Sequence, residues 1–331
     1  MSSQTNYPLD FAYAYGTPTS TAFYRVEIDD FSVRENLGFT PEGEGEHLYV
    51  HVKKRNQNTQ WVAKEIAKFV GVSPRDVGFC GLKDRFAETS QWFSIYTPKK
   101  KAVDWSQFLI EGVSVITSTR HAFKLKPGMH EFNHFSITLR NIEYNDDLQI
   151  RLEKIKEGVP NYFGDQRFGI DGNNLLQAES LLIRRQPIKN KKLRGLIISA
   201  ARSYLFNTVL SKRVESENWK TSISGEPEKF SSAPMWGRGR PLSFDQALEF
   251  ESESLASLNE LANGLEHVGL KQERRQLVCI PQTLTYSKEK NDQINSNFKE
   301  SLTLTFSLPP GQYATSVLRE IALIENYQYR T

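Results

Sequence analysis

The chain of 331 residues is predicted to be an α+β protein in which a β-sheet domain is interrupted by a mainly helical insert. Three observations predict this. Residues 20–140 read mostly as strands with a single clear helix. The pattern turns helical after residue 145. Strand alternation then returns at 302–306, so the end of the chain is expected to rejoin the first domain. The expected division is 1–160 with 302–331 for the sheet domain and 161–301 for the insert.

Within the sheet domain, Phe31-Ser32-Val33 and residues 47–52 alternate in strand fashion. Asn58 or Thr59 can cap a helix that carries Val62, Ile66, Phe69 and Val70 on one face, and Gly71 stops it. Ser73-Pro74 starts a short helical turn. Phe135, Ile137 and Leu139 alternate with Ser136, Thr138 and Arg140 in a half-buried strand. Beyond it, 146–157 reads as helix and 158–169 as a Gly/Pro/Asn-rich loop. Helices are expected over 173–185, 191–216 and 243–266, with a Ser/Pro/Gly-rich loop over 221–241. A last helix is expected over 313–324, after Pro309-Pro310-Gly311.

Hydrophobic residues make up 38% and charged residues 24%, with no low-complexity tract, which describes a folded chain. The longest apolar runs fall far short of a membrane span. Residues 1–7 lack the basic and apolar regions of a secretory signal. Cys80 and Cys279 form neither a disulfide framework nor a metal-ligand spacing, and read as core thiols of a reducing compartment. A cytoplasmic location is expected. Net charge is only +3, but its distribution is uneven. Seven basic residues and no acidic one occur from Arg184 to Arg202, among them Lys191, Lys192 and Arg194. Arg120, His121, Lys124 and Lys126 form a second cluster. Either fits a nucleic-acid footprint or a solvated face.

The chemistry concentrates in residues 77–96. An apolar strand-like segment ends at a glycine, Asp84 follows between Lys83 and Arg85, and a second strand-like segment comes after. Nearby positive charge favours the ionised carboxylate, so Asp84 is a candidate nucleophile or base on a loop braced by two strands. The same pattern also fits a polar hairpin whose Asp caps a turn. His130-Glu131-Phe132-Asn133-His134 matches the H-E-x-x-H zinc signature, but Pro127-Gly128 before it and strand alternation after it oppose the helix that signature needs. No P-loop, G-x-G-x-x-G or nucleophile elbow is present, so nucleotide-cofactor and hydrolase chemistry lack support. Phe132-Asn133-His134-Phe135 sets an amide beside aromatic rings, which can read and stack a base or simply form a bulge with core phenylalanines.

In order along the chain come Asp30-Phe31-Ser32-Val33-Arg34-Glu35, Gly43-Glu44-Gly45-Glu46-His47-Leu48, Asn58-Thr59 and Gly81-Leu82-Lys83-Asp84-Arg85-Phe86-Ala87-Glu88-Thr89-Ser90-Gln91-Trp92. Phe132-Asn133-His134-Phe135, Pro160-Asn161-Tyr162-Phe163-Gly164-Asp165-Gln166-Arg167-Phe168-Gly169, residues 199–207 and 308–315 follow. Together they resemble the tRNA pseudouridine synthase D family, nearly end to end. The resemblance implies isomerisation of uridine to pseudouridine in tRNA, usually uridine 13 in the D arm of glutamate tRNA. It implies a pseudouridine-synthase core of mixed or antiparallel β-sheet with flanking helices in permuted order, an inserted mainly helical domain, an active cleft between the two, and no metal or organic cofactor. Asp84 takes the place of the catalytic aspartate. Arg25 stands where a partner cation, often Lys, is expected. Phe135, Asn133, Phe31 and Tyr313 fall among the substrate-binding residues, with Lys83 beside them. The basic stretch containing Lys191, Lys192, Arg194 and Arg202 would contact tRNA phosphates. The chain departs from the family pattern twice: Phe132 stands where the family commonly has Gly, and the insert is short between about Val214 and Phe250, which either loosens RNA selectivity or merely trims a loop. A non-catalytic tRNA-binding or chaperone protein on the same scaffold is the alternative, and the intact Asp84 motif argues against it. A zinc hydrolase built on His130 and His134 is the third.

Overall fold

The structure is a computed structural model that describes residues 7–99, 102–227, 229–290, 298 and 300–330; most of the 1–7 segment lies outside the described residues. In chain order the strands and α-helices are β1 (Thr21–Tyr24), β2 (Phe31–Asn36), β3 (His47–Arg55), α1 (Thr59–Val70), β4 (Val77–Phe79), β5 (Glu88–Tyr96), β6 (Val113–His121) and β7 (Phe132–Arg140). There follow α2 (Asp146–Lys154), β8 (Val159–Pro160), α3 (Asn173–Leu182), α4 (Lys191–Glu215), β9 (Ser232–Met235), α5 (Asp245–Ser254) and α6 (Asn259–Glu266). The last are β10 (Glu273–Gln276), β11 (Val278–Cys279), β12 (Gln282–Lys290), β13 (Glu300–Leu308), α7 (Ala314–Arg319) and β14 (Leu323–Asn326).

The chain forms two compact units, both discontinuous. The sheet unit holds 19–149, 281–312 and 322–331. Its strands run β12-β13-β7-β2-β5-β3-β6, with β1 joined to β7 and β14, and β4 to β5. Pairing is antiparallel except for β2 with β5 and β1 with β14. α1 forms where the sequence places it. Asn58 Oδ1 accepts from the Gln60 and Trp61 amides, and Gly71 closes the helix at φ 77°. The helix buries Val62, Ile66, Ala67 and Val70 against Leu48, Val50 and Val52 of β3 and Phe93 and Ile95 of β5. These side chains all leave water, and this burial fixes α1 to the sheet.

The helical unit holds 1–18, 150–280 and 313–321. α4 supplies much of its core, including Ile197, Tyr204, Leu205, Phe206 and Val209. β8 pairs with β11, and β9 with β10. Among the described residues no helix is long and apolar enough to cross a membrane.

Several expected boundaries move. The N-terminal segment belongs with the helical unit rather than the sheet, because Phe11 stacks on Tyr162, 5.5 Å between ring centroids. Residues 281–290 join the sheet instead of the insert, because β12 pairs along β13. β12 half-buries only Leu284 and Tyr286 and is otherwise exposed, so its apolar alternation is too short to mark a strand of nine residues. The helix expected over 243–266 is two helices, α5 and α6, separated by a 3₁₀ turn at Ala256–Leu258. The loop expected over 221–241 contains β9. The final helix stops at Arg319, since 323–326 pair in parallel with β1, and backbone pairing overrides local helical preference.

Candidate active site

The loop between β4 and β5 is held from below by buried polar side chains. Thr59, at the start of α1, accepts a hydrogen bond from the Lys83 amide at 3.0 Å and donates to Gln91 Oε1 at 2.9 Å. Gln91 Nε2 in turn donates to the Gly81 carbonyl at 3.1 Å. Lys54 Nζ donates to the carbonyl oxygens of Asp84 at 2.9 Å and Gln57 at 2.8 Å. Thr59, Gln91 and Lys54 are fully buried, so each of these bonds is shielded from competing water. The backbone that carries Asp84 is therefore fixed by the rigid sheet and α1.

Arg25 and Asp84 meet on this platform. Arg25 Nη2 lies 2.7 Å from Asp84 Oδ1. The Arg25 side chain is 8% exposed, the Asp84 side chain 39%. One carboxylate oxygen is thus gripped by a sheltered cation while the group as a whole stays reachable. Arg25 follows β1 at φ 60°, a left-handed conformation uncommon for a residue with a side chain. Strain of this kind persists where surrounding structure dictates it. Here the guanidinium sits 4.5 Å from the centroid of Phe31 and 5.1 Å from that of Tyr24. Cation–π attraction and the ion pair together hold it in place.

Lys54 was not singled out in the sequence, yet its position is readable there. On β3 it shares parity with Leu48, Val50 and Val52, the face that packs under α1. Burial, eased by the charge of Asp84 and reinforced by that of Lys83, pushes its ammonium down to about 8 from 10.5. Native Lys54 therefore releases its proton near pH 8, while the unfolded chain keeps it to about pH 10.5. Between these values the unfolded chain binds more protons, so this group's contribution to stability rises with pH. The gain is on the order of 3 kcal/mol. Denaturant titrations at about pH 7.5 and pH 10 are expected to show it in the wild type and not in Lys54→Met; equal pH slopes would refute this account of Lys54.

Other expected site residues are placed differently. Lys83 does not lie free beside Asp84. Its ammonium is 2.7 Å from Glu35 Oε2, with the two side chains 5% and 0% exposed, and Glu35 Oε1 also accepts from the Trp92 amide at 3.0 Å. Phe31 is buried and engages Arg25. Phe135 is largely buried, stacked on Phe306 and edge-on to Phe31. Asn133, half-buried on β7, donates through Nδ2 to His130 Nε2 at 2.9 Å, and its Oδ1 has no partner among the described residues.

The H-E-x-x-H match is not helical. His130 precedes β7 and His134 lies on it, bonded to Ser307. Glu35, Cys80 and His130 do place ligand atoms within 4.8 Å of one another. They do not fit a cation: Lys83 already occupies Glu35, and burial pushes the Cys80 thiol up to about 12. Burial and the charge of Lys83 push His130 down to about 4, leaving it neutral.

In the helical unit, the Tyr313 hydroxyl accepts from Arg167 at 3.1 Å. The sequence expectation had put Tyr313 in the sheet domain. Lys191 and Lys192 are exposed on the first turn of α4, and Arg194 is partly exposed. Arg202 is not available to RNA phosphates. It is 9% exposed, donates to the carbonyls of Trp236, Met235 and Lys271, and pairs with Glu273 at 3.1 Å.

Comparison with known proteins addresses the chain as a whole. The family model for tRNA pseudouridine synthase D (TruD) matches residues 11–187 and 226–321. A tRNA pseudouridine synthase D of Cellvibrio japonicus is 46% identical, with 100% of this chain and 98% of that protein aligned. One from Pseudoalteromonas translucida is 41% identical over 94% and 93%. The crystal structure of the putative tRNA pseudouridine synthase D of Methanosarcina mazei superposes with a TM-score of 0.63 at 20% identity, covering 96% of this chain and 95% of its own. That likeness concerns the fold; the family match and the bacterial relatives, read along the full length, place the chain in the tRNA pseudouridine synthase D family.

Proposed function

We propose that the protein isomerises uridine 13 in the D arm of glutamate tRNA to pseudouridine, with Asp84 as the catalytic carboxylate, in the cytoplasm. Family membership carries the coarser part, a tRNA pseudouridine synthase. The observation that carries the assignment of Asp84 is its geometry: an accessible carboxylate held at 2.7 Å by a buried arginine, on a loop fixed from beneath. The reaction breaks the C1′–N1 bond and joins C1′ to C5 of the same base. An ionised carboxylate can attack C1′ or C6, or assist proton removal on a glycal route. Arg25 grips and orients that carboxylate. The uridine leaves its stack to be reached. Asn133, two residues before Phe135 on β7, is assigned to the edge of the uracil, and Phe135 backs the base.

The direct test is to map pseudouridine across cellular tRNA with and without this gene; persistence of the position-13 modification in the deletion strain would reject the target. Lys191 and Lys192, which are exposed, and the partly exposed Arg194 are assigned to the tRNA backbone. Replacing all three with Gln is expected to flatten the slope of log K against log salt by about two to three units. An unchanged slope would return them to an ordinary solvated face.

A further inference from the structure

The helical unit compensates most of its sheltered arginines with carboxylates. Arg213 pairs with Glu226 and Arg274 with Glu251, both at 2.6 Å. Arg202 pairs with Glu273 at 3.1 Å and Arg319 with Glu320 at 3.0 Å. Arg275 is an exception. Strand alternation along β10 turns it to the face opposite Arg274. There its guanidinium lies 4.1 Å from the ring centroid of Phe163, 5.2 Å from Phe206 and 5.5 Å from Tyr313. Nη2 donates to Asn161 Oδ1 at 2.7 Å and to the Asn161 carbonyl at 3.1 Å; Nη1 donates to nothing among the described residues, and Nε is sealed and unpaired. No carboxylate pairs with it among the described residues.

A second uncompensated guanidinium shares the same ring. Arg167 lies 5.3 Å from the Phe163 centroid and donates to Ser199 Oγ at 3.2 Å and Tyr313 Oη at 3.1 Å. It too has no carboxylate partner among the described residues. Loss of hydration pushes Arg275 down to about 10, and the charge of Arg167 adds to the fall. Two half-buried cations that share one ring without a counter-charge are unfavourably placed, and an anion that joins them relieves this. Both retain unused N–H donors, and guanidinium matches the geometry of a phosphate.

We propose that Arg167 and Arg275 form a phosphate-binding subsite that takes one phosphodiester of the RNA substrate, with Phe163 as its floor and the Tyr313 hydroxyl orienting Arg167. The proposal rests on tRNA being the substrate. The subsite differs from the exposed cations of α4, because its donors are pre-set by aromatic packing rather than free to sample many rotamers. It fixes the register of the RNA and reads no base.

Affinity for an unmodified tRNA transcript, measured from low to moderate salt, tests this. Arg275→Gln and Arg167→Gln are each expected to weaken binding about tenfold, the loss of one charge-assisted hydrogen bond. Each should also lower the slope of log K against log salt by up to about 0.9. Arg275→Lys is expected to keep the slope while losing affinity, since charge remains and the fork does not. Should Arg275→Gln fail to fold, Arg167→Gln reads the same subsite without disturbing Asn161. Folded Gln variants with wild-type slope and affinity overturn the subsite. A wild type that binds tRNA steeply with salt but makes no pseudouridine overturns the proposed function instead, and leaves this inference to the Gln variants.

Discussion

Replacing Asp84 with asparagine is expected to abolish pseudouridine formation, lowering turnover by at least about a thousandfold. The substitution keeps the size and shape of the side chain and removes only its charge and nucleophilicity. tRNA affinity should stay within about threefold, since the bulk of binding comes from phosphate contacts elsewhere. Stability should fall by about 1–2 kcal/mol, because Arg25 stays buried without its counter-ion while the lost carboxylate was partly solvated. Single-turnover assays with saturating enzyme separate these effects: the chemical step should vanish while bound tRNA persists. Near-normal turnover in Asp84→Asn would show that the carboxylate is a structural partner of Arg25 and nothing more.

How far the chain could be read depended on whether the relevant forces leave a local trace. α1 was legible from end to end, because its apolar face repeats at helical spacing and Asn58 and Gly71 mark its limits. β7 was legible because Phe135, Ile137 and Leu139 alternate with polar residues. β12 was not, because this edge strand half-buries only Leu284 and Tyr286, too short an apolar pattern to stand out. Asp84 stood out through its flanking charges, but the cation that grips it comes from Arg25, a distant segment in a strained backbone conformation. Nothing periodic announces such a pair; it entered only through resemblance to a family. Lys54 is the instructive miss. Its parity with Val50 and Val52 points it under α1, and a lysine on a buried face is itself a signal of a polar task, here holding the Asp84 carbonyl. Arg202 misled in the opposite direction. Grouped by charge with Lys191, Lys192 and Arg194, it lies further along α4 where the helix is buried, and it serves the carbonyls of β9 and its surroundings.

The flanking Lys83 leads to the second large effect. A lysine next to the proposed catalytic aspartate invites a reading as a substrate contact, which predicts that Lys83→Met raises KM and leaves stability alone. The geometry predicts otherwise. Lys83 and Glu35 form an ion pair almost wholly out of water, and removing one partner strands the other charge. Loss of one side of such a pair costs about 3–5 kcal/mol. Glu35 would keep only the Trp92 amide, and the residue beside Asp84 would lose its anchor on β2. Lys83→Met is therefore expected to lower stability by that amount and kcat well beyond any change in KM, because the loop is displaced rather than the substrate released. The double variant Lys83→Met with Glu35→Gln should be more stable than the sum of the two single losses implies, by at least about 1 kcal/mol, since no unpaired charge is left buried. Denaturant titration of the four proteins gives that coupling directly. Additive losses, or a Lys83→Met protein of unaltered stability with raised KM, would return Lys83 to the substrate side. Strong coupling would instead make Glu35 and Lys83 the support on which the Arg25–Asp84 pair stands.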